Sequence, residues 1–291
     1  MLSTHWYKKI VMTMAAVLLC SAAAVAQERA LVRLSVVSMR GRASHASEQV
    51  SQALMGTPVR VLEKGAEWSR VQTPDGYEGY IINHSMAFLT KGEFERWKSA
   101  EKVIVVAPYE QHDADGVTDL VCGNVLVSRG DSLELPDGRR ILRPGGVENL
   151  NSVCDRPFRA ERLPEFAALY NGVPYLWGGL SSKGMDCSGL VRMAYMAQGR
   201  VLSRDAKDQA LEGENVDAES LRPGDLIFFG NARTGRITHV GIYAGGGEYV
   251  HSSQMVRRNS LDPESPLYLP LTVLAMRRVE GQKLNDLVEK M

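Results

Sequence analysis

The sequence predicts an α+β protein in which small all-β modules precede a helix-first domain with a largely antiparallel sheet. Three observations predict it. Between residues 30 and 142 the chain is a succession of short alternating runs broken by tight turns. The stretch Lys183-Gly184-Met185-Asp186-Cys187-Ser188-Gly189-Leu190-Val191 then opens a helix on a cysteine. Beyond that helix, residues 226–229, 238–243 and 248–252 read as strands, the last two joined through Gly245-Gly246-Gly247.

The first residues read as an export signal. Lys8 and Lys9 precede an apolar run from Ile10 to Val25, and Ala24-Val25-Ala26 fits a small-x-small cleavage site, so the mature chain is expected to start at Gln27 and to be periplasmic or secreted. Lipidation at Cys20 is the lesser alternative, because Leu19 is large where a lipobox wants a small residue. No later stretch is long and apolar enough to span a bilayer. The 291 residues carry a formal net charge of +0 and no long basic block, which argues against nucleic acid or an anionic membrane as partner. An exported chain would keep Cys122, Cys154 and Cys187, an odd number. Cys122 and Cys154 can pair and leave Cys187 free, or all three can be reduced, or a pair can include Cys187.

The front half justifies its strands one by one. Residues 31–37 and 58–62 alternate; a turn at 65–68 leads to a strand at 68–71. Thr73-Pro74-Asp75-Gly76 is a turn by its chemistry, and residues 77–82 resume as a strand. The pattern recurs at residues 102–106, 123–127, 132–135 and 139–142, with Pro136-Asp137-Gly138 repeating Pro74-Asp75-Gly76. Two copies of a small barrel about 60 residues apart are therefore expected, residues 27–92 and a less regular 100–150, with a short helix at 94–100 between them.

The composition shifts near Asn151. A helix at 164–169 leads into Gly172-Val173-Pro174-Tyr175-Leu176-Trp177-Gly178-Gly179, a rigid aromatic loop of the kind that shapes clefts. Asp186 is a good N-cap and Gly199 a plausible stop, so Cys187 should occupy the first turn of a helix, where free N–H groups and the helix dipole favour a thiolate. A nucleophilic thiol needs a base and a group that orients the base. His239 and His251 are equidistant from Gly245, so they should face each other across the hairpin. Cys187, His239 and His251 with a carboxylate would also be a zinc set, though the spacing is not a zinc motif. The tail, residues 283–291, reads as a short amphipathic helix or a frayed end.

At these residues the chain resembles the NlpC/P60 family of cysteine peptidases. Asp186-Cys187-Ser188-Gly189-Leu190 matches the nucleophile block, Arg222-Pro223-Gly224-Asp225-Leu226-Ile227-Phe228-Phe229 the next, and His239-Val240-Gly241-Ile242-Tyr243 the base block. His251 falls at the third polar position, and Tyr175 and Trp177 match the upstream loop. The resemblance implies a papain-like catalytic domain over residues 155–282, without cofactor or metal, acting as a monomer. The front half resembles bacterial SH3 (SH3b) modules. Together they resemble γ-D-glutamyl-L-diamino acid endopeptidases of the YkfC type, which cut murein peptides after L-Ala-γ-D-Glu and require a free N-terminal amine. That resemblance makes Asp205 the residue for the substrate amine. It adds Asp186, Ser188 and, from the first SH3b module, Glu48 and Tyr77 as substrate contacts, with Tyr175 and the Cys187 N–H at the oxyanion. It implies a thiolate–imidazolium pair of Cys187 and His239, polarised by His251. Two rivals use the same chain: an amidase or thiol acyltransferase on the same core, and a non-catalytic wall-binding protein.

Overall fold

The computed structural model describes residues 28–114 and 117–291; the export signal, Cys20 and the cleavage site lie outside the described residues. The first module is a seven-stranded antiparallel sheet in the order Gln49–Leu54, Val36–Arg40, Glu78–Ile82, Trp68–Gln72, Pro58–Lys64, Arg29–Val32, Met86–Leu89. Its core is built by Ala30, Val32, Met39, Val59, Val71 and Ile81. The run 31–37, expected as one strand, is two. Arg29–Val32 pairs with Pro58–Lys64 and Met86–Leu89, whereas Val36–Arg40 pairs with Gln49–Leu54. The break between them points inward: Ser35 is buried, its hydroxyl donating to Asp119 and its carbonyl accepting from Asn124 of the second module.

The connecting helix is Lys91–Ser99, starting earlier than the apolar residues alone suggest. Thr90 and Glu93 form a capping box there, and the helix buries Phe94 and Trp97. The second module is a five-stranded sheet in the order Arg140–Leu142, Ser132–Glu134, Val125–Arg129, Lys102–Val105, Val147–Asn149. It also carries a separate hairpin, Tyr109–Ala114 with Val117–Val121, that the sequence reading did not resolve.

In the third region the helix Cys187–Met196 is buried along its whole length against a six-stranded sheet. The sheet order is Glu214–Asn215, Val273–Arg278, Leu226–Asn231, Arg236–Gly245, Glu248–Ser253, Met255–Ser260. Leu190, Val191 and Met193 are 0% exposed, and each such side chain stabilises the fold by about 1.5–3 kcal/mol. Gly199 ends the helix at φ +66°, and a Cβ there would fall 2.9 Å from Cys154, so substitution would both strain the backbone and clash. One core joins all three regions: Leu54, Ile104, Val121 and Val125 from the modules pack with Cys187, Leu190 and Met193. The tail is an ordered helix, Leu284–Glu289, and Val288 packs with Leu31, Phe94, Trp97 and Val127. Cys122, Cys154 and Cys187 are all buried free thiols, which removes the disulfide option. Among the described residues no helix is long and apolar enough to cross a membrane.

Candidate active site

Asp186 starts the cysteine helix as expected. Its Oδ1 accepts from the Gly189 N–H at 2.7 Å and its Oδ2 from the Gly178 N–H at 2.9 Å. Cys187 follows at 7% exposure, its sulfur contacted by the amides of Val240 and Ser188. The strand amide of Val240 thus brings His239, one residue earlier, to the helix start.

The two histidines meet, but not as mirror positions about Gly245. Ile242 pairs with Val250 and Tyr243 with Tyr249, with an irregularity before Gly245 pairs with Glu248. One extra residue on the first strand shifts the ladder, so Gly241 rather than His239 lies opposite His251. His239 reaches diagonally on the same face, and its Nε2 is 2.6 Å from Nδ1 of His251. His251, 0% exposed, sits 2.8 Å through Nε2 from Oδ1 of Asn259. Asn259 Nδ2 donates to the carbonyl of Leu267 at 2.7 Å.

This line fixes the protons. The Leu267 carbonyl can only accept, so the Asn259 amide nitrogen faces it and Oδ1 faces His251. His251 therefore donates through Nε2 and accepts through Nδ1. His239 in turn donates through Nε2 and keeps a lone pair on Nδ1. His251 spends Nδ1 on His239 and Nε2 on Asn259, so it has no nitrogen left for zinc.

Burial works against the ion pair that the helix start favours. Burial, then the Asp186 carboxylate, pushes the Cys187 thiol up to about 11, outweighing the Val240 and Ser188 amides. Burial, then His251, lowers His239 to about 3, and burial also lowers His251. These shifts favour thiol and neutral imidazole at rest. The helix-start argument underweights desolvation, which dominates at a cysteine this enclosed. Burial, then Cys187 and Asp186, raises the Tyr175 hydroxyl to about 12, so it remains a hydrogen-bond donor.

The first module forms the other wall. Trp177, 59% exposed, donates from Nε1 to Glu48 Oε1 at 2.8 Å, and Gln49 donates to the Trp177 carbonyl at 2.8 Å. Tyr77 donates to the Val50 carbonyl at 3.2 Å and to Asp205 Oδ1 at 3.5 Å. Glu48 and Tyr77 thus reach the loop of Trp177 and the segment of Asp205.

Asp186 and Ser188, expected among the substrate contacts, are buried and bonded within the protein. The Asp186 carboxylate also accepts from Ser188 Oγ and from Arg204 at 3.1 and 2.6 Å, so its oxygens are filled. Ser188 accepts from Arg204 at 3.0 Å. Arg204, missed by sequence reasoning, is buried and also donates to Ser51 of the first module at 3.0 Å. It ties the N-cap of the catalytic helix to the barrel, a link that no local pattern announces. Asn259, also missed, lies on a strand that the alternation signal did not mark.

Asp205 itself is half-buried, and burial raises its pKa while Arg204 and Lys207 oppose. It makes no ion pair among the described residues, because the neighbouring guanidinium is committed to Asp186.

Residues 172–277 match the NlpC/P60 family, and residues 39–85 match the bacterial dipeptidyl-peptidase Sh3 domain. A gamma-D-glutamyl-L-lysine dipeptidyl-peptidase of Bacillus subtilis (strain 168) is 45% identical over 229 residues, 69% of this chain and 71% of that protein. One of the same name from Bacillus cereus (strain ATCC 10987 / NRS 248) is 30% identical over 249 residues, 78% of this chain and 74% of that protein. The crystal structure of a NlpC/P60 family protein from Bacillus cereus ATCC 10987 superimposes with a TM-score of 0.73 at 23% identity, covering 87% of this chain and 100% of that one. That likeness shows the shared fold.

Proposed function

The chain belongs to the NlpC/P60 family of cysteine peptidases, and from that premise we propose that it hydrolyses the γ-D-glutamyl–diamino acid bond of murein peptides with a free N-terminal L-Ala. The diamino acid is meso-diaminopimelate or L-lysine. The observation that carries this reading is Asp205: a half-buried carboxylate without an ionic partner among the described residues, touched by Tyr77 of the first module. Such a group suits a substrate ammonium. The names of the Bacillus relatives support the same bond class.

The sulfur of Cys187 attacks the amide carbonyl as Nδ1 of His239 takes the thiol proton. His239 becomes positive only as this happens, and His251, aligned by Asn259, accepts its Nε2 hydrogen and holds the ring. The Cys187 N–H and the Tyr175 hydroxyl receive the oxyanion; one such donor is worth on the order of 10²–10³ in rate. His239 then protonates the leaving amine, and water releases the acyl group from sulfur. Residues 1–26 direct the chain to a periplasmic or secreted location in this reading, where as a monomer it serves wall turnover or recycling.

Mass spectrometry of L-Ala-γ-D-Glu-diamino acid peptide after incubation with the protein tests the reading. Release of L-Ala-γ-D-Glu by the wild type and none by a folded Cys187→Ala variant is expected. Undiminished turnover by Cys187→Ala would overturn it.

A further inference from the structure

The side of the site that receives the departing diamino acid follows from what is already placed. In the endopeptidase reading the acyl half lies with Asp205, Tyr77 and Trp177, which the first module contacts or supplies. The departing half then lies across the histidine pair, because His239 delivers its proton to the leaving amine. Arg257 stands on that side. Its Cα pairs with that of His251 in the antiparallel ladder, and directly opposed residues project from one face. The cation is close enough to depress His251 further and to lower the Tyr249 hydroxyl against the effect of burial.

Arg257 also differs from several arginines of the same domain. Arg192, Arg204, Arg258 and Arg278 each hold a carboxylate, whereas Arg257 has no such partner among the described residues. Its Nε is shielded from solvent with no acceptor, and so is the hydroxyl of the adjacent Tyr249. Two buried groups with hydrogens to give, under a half-buried guanidinium, form a place short of an acceptor with negative charge.

Resting on the endopeptidase reading, we infer that Arg257 binds a carboxylate of the departing diamino acid and so selects the residue on that side of the cut. Two carboxylates have the right chemistry. One is the side-chain carboxylate of diaminopimelate, which lysine lacks and replaces with no anion. The other is the main-chain carboxylate of a peptide that ends at the diamino acid. An ammonium group at this position would meet a like charge.

The test is kcat/KM of the full chain on four peptides of the form L-Ala-γ-D-Glu-X. X is meso-diaminopimelate, its side-chain amide, L-lysine, or diaminopimelate with the main-chain carboxylate amidated. Amidating the bound carboxylate should cost the wild type about 10- to 100-fold, the worth of a charge-assisted pair. Arg257→Gln should lose that factor on the acid and almost nothing on the amide, and Arg257→Lys should recover part of it. A loss confined to the side-chain amide and lysine assigns the side-chain carboxylate; a loss confined to the main-chain amide assigns the other. Equal rates on all four in the wild type, or a uniform loss on all four in a folded Arg257→Gln, would overturn the inference. Should the wild type cut none of them, the substrate reading fails by itself. Calorimetric titration of free meso-diaminopimelate then decides on Arg257: weaker binding to Arg257→Gln sustains its role, and equal or absent binding refutes it.

Discussion

The same tripeptide, Pro-Asp-Gly, turns a corner in both front modules, and the two copies behave differently. Asp75 of the first is carried into the molecule, 2.6 Å from the buried Arg192 on the cysteine helix. Burial alone would raise its pKa, yet Arg192 and the Thr73 hydroxyl hold it below the ordinary value. Asp137 of the second is covered almost as well, at 17% against 13%, but it answers exposed arginines, Arg139 at 2.8 Å and Arg33 at 3.4 Å. The local sequence makes the turn in each case. What the turn is for depends on the partner that the fold brings to it. The first module is docked by Asp75, Ser51 and Gln52 and delivers Glu48 and Tyr77 to the site. The second touches the same domain through Asp119 and Lys183, 2.6 Å apart, at the foot of the Tyr175 loop's hairpin. It braces the assembly, and none of its described residues sends a side chain to the candidate site.

The largest expected difference is in stability. Asp75→Ala strands Arg192 in the interior and should cost about 3–5 kcal/mol in urea unfolding. Asp137→Ala should cost no more than about 1 kcal/mol. Similar losses at both turns would erase the distinction. The pH dependence sharpens it. The folded-state pKa of Asp75 is depressed, so its contribution is complete above the unfolded value near 3.9 and is lost as pH falls through the folded value. The advantage of wild type over Asp75→Asn, followed by thermal melts, should therefore be constant at neutral pH and shrink below about pH 4. A gap that widens in acid would refute the pairing.

Activity gives a smaller contrast. Tyr77→Phe and Glu48→Gln should each lower kcat/KM by about 10-fold, as the loss of one hydrogen bond of about 1.4 kcal/mol predicts, while Arg140→Ala in the second module leaves it unchanged. The acid limb of kcat/KM should belong to Asp205, which must be ionised to hold an ammonium and whose pKa burial raises above the ordinary carboxylate value. His239, lowered by burial and by His251, should not set the limb. The alkaline limb should fall near pH 8, where a peptide α-amine loses its proton. An acid limb that stays put in Asp205→Asn would contradict this assignment.

The features legible in the sequence are those written in consecutive residues. The Asp186 cap, the buried cysteine helix, the Gly199 stop and the two histidine strands follow from periodicity and turn chemistry. The proximity of His239 and His251 was legible too, but its register was not, because one extra residue before Gly245 leaves no mark in composition. Arg204, Asn259 and Arg257 were invisible for another reason. Each is an ordinary polar residue until the fold supplies its partner: Asp186 and Ser51, the His251 ring, and the shared face with Tyr249. The charge state of Cys187 likewise depends on how completely the first module and the loops enclose it, which no helix-start signal conveys.

The most direct measurement of the central claim, that the first module and Asp205 make cleavage depend on a free amine, compares kcat/KM for L-Ala-γ-D-Glu-diamino acid peptide with its N-acetylated form. The wild type should favour the free amine by about 10- to 100-fold, the range of a charge-assisted hydrogen-bonded pair. Asp205→Ala should bring the ratio close to one by losing activity on the free-amine peptide alone. A preference that survives intact in Asp205→Ala, or equal loss on both peptides, would contradict the account.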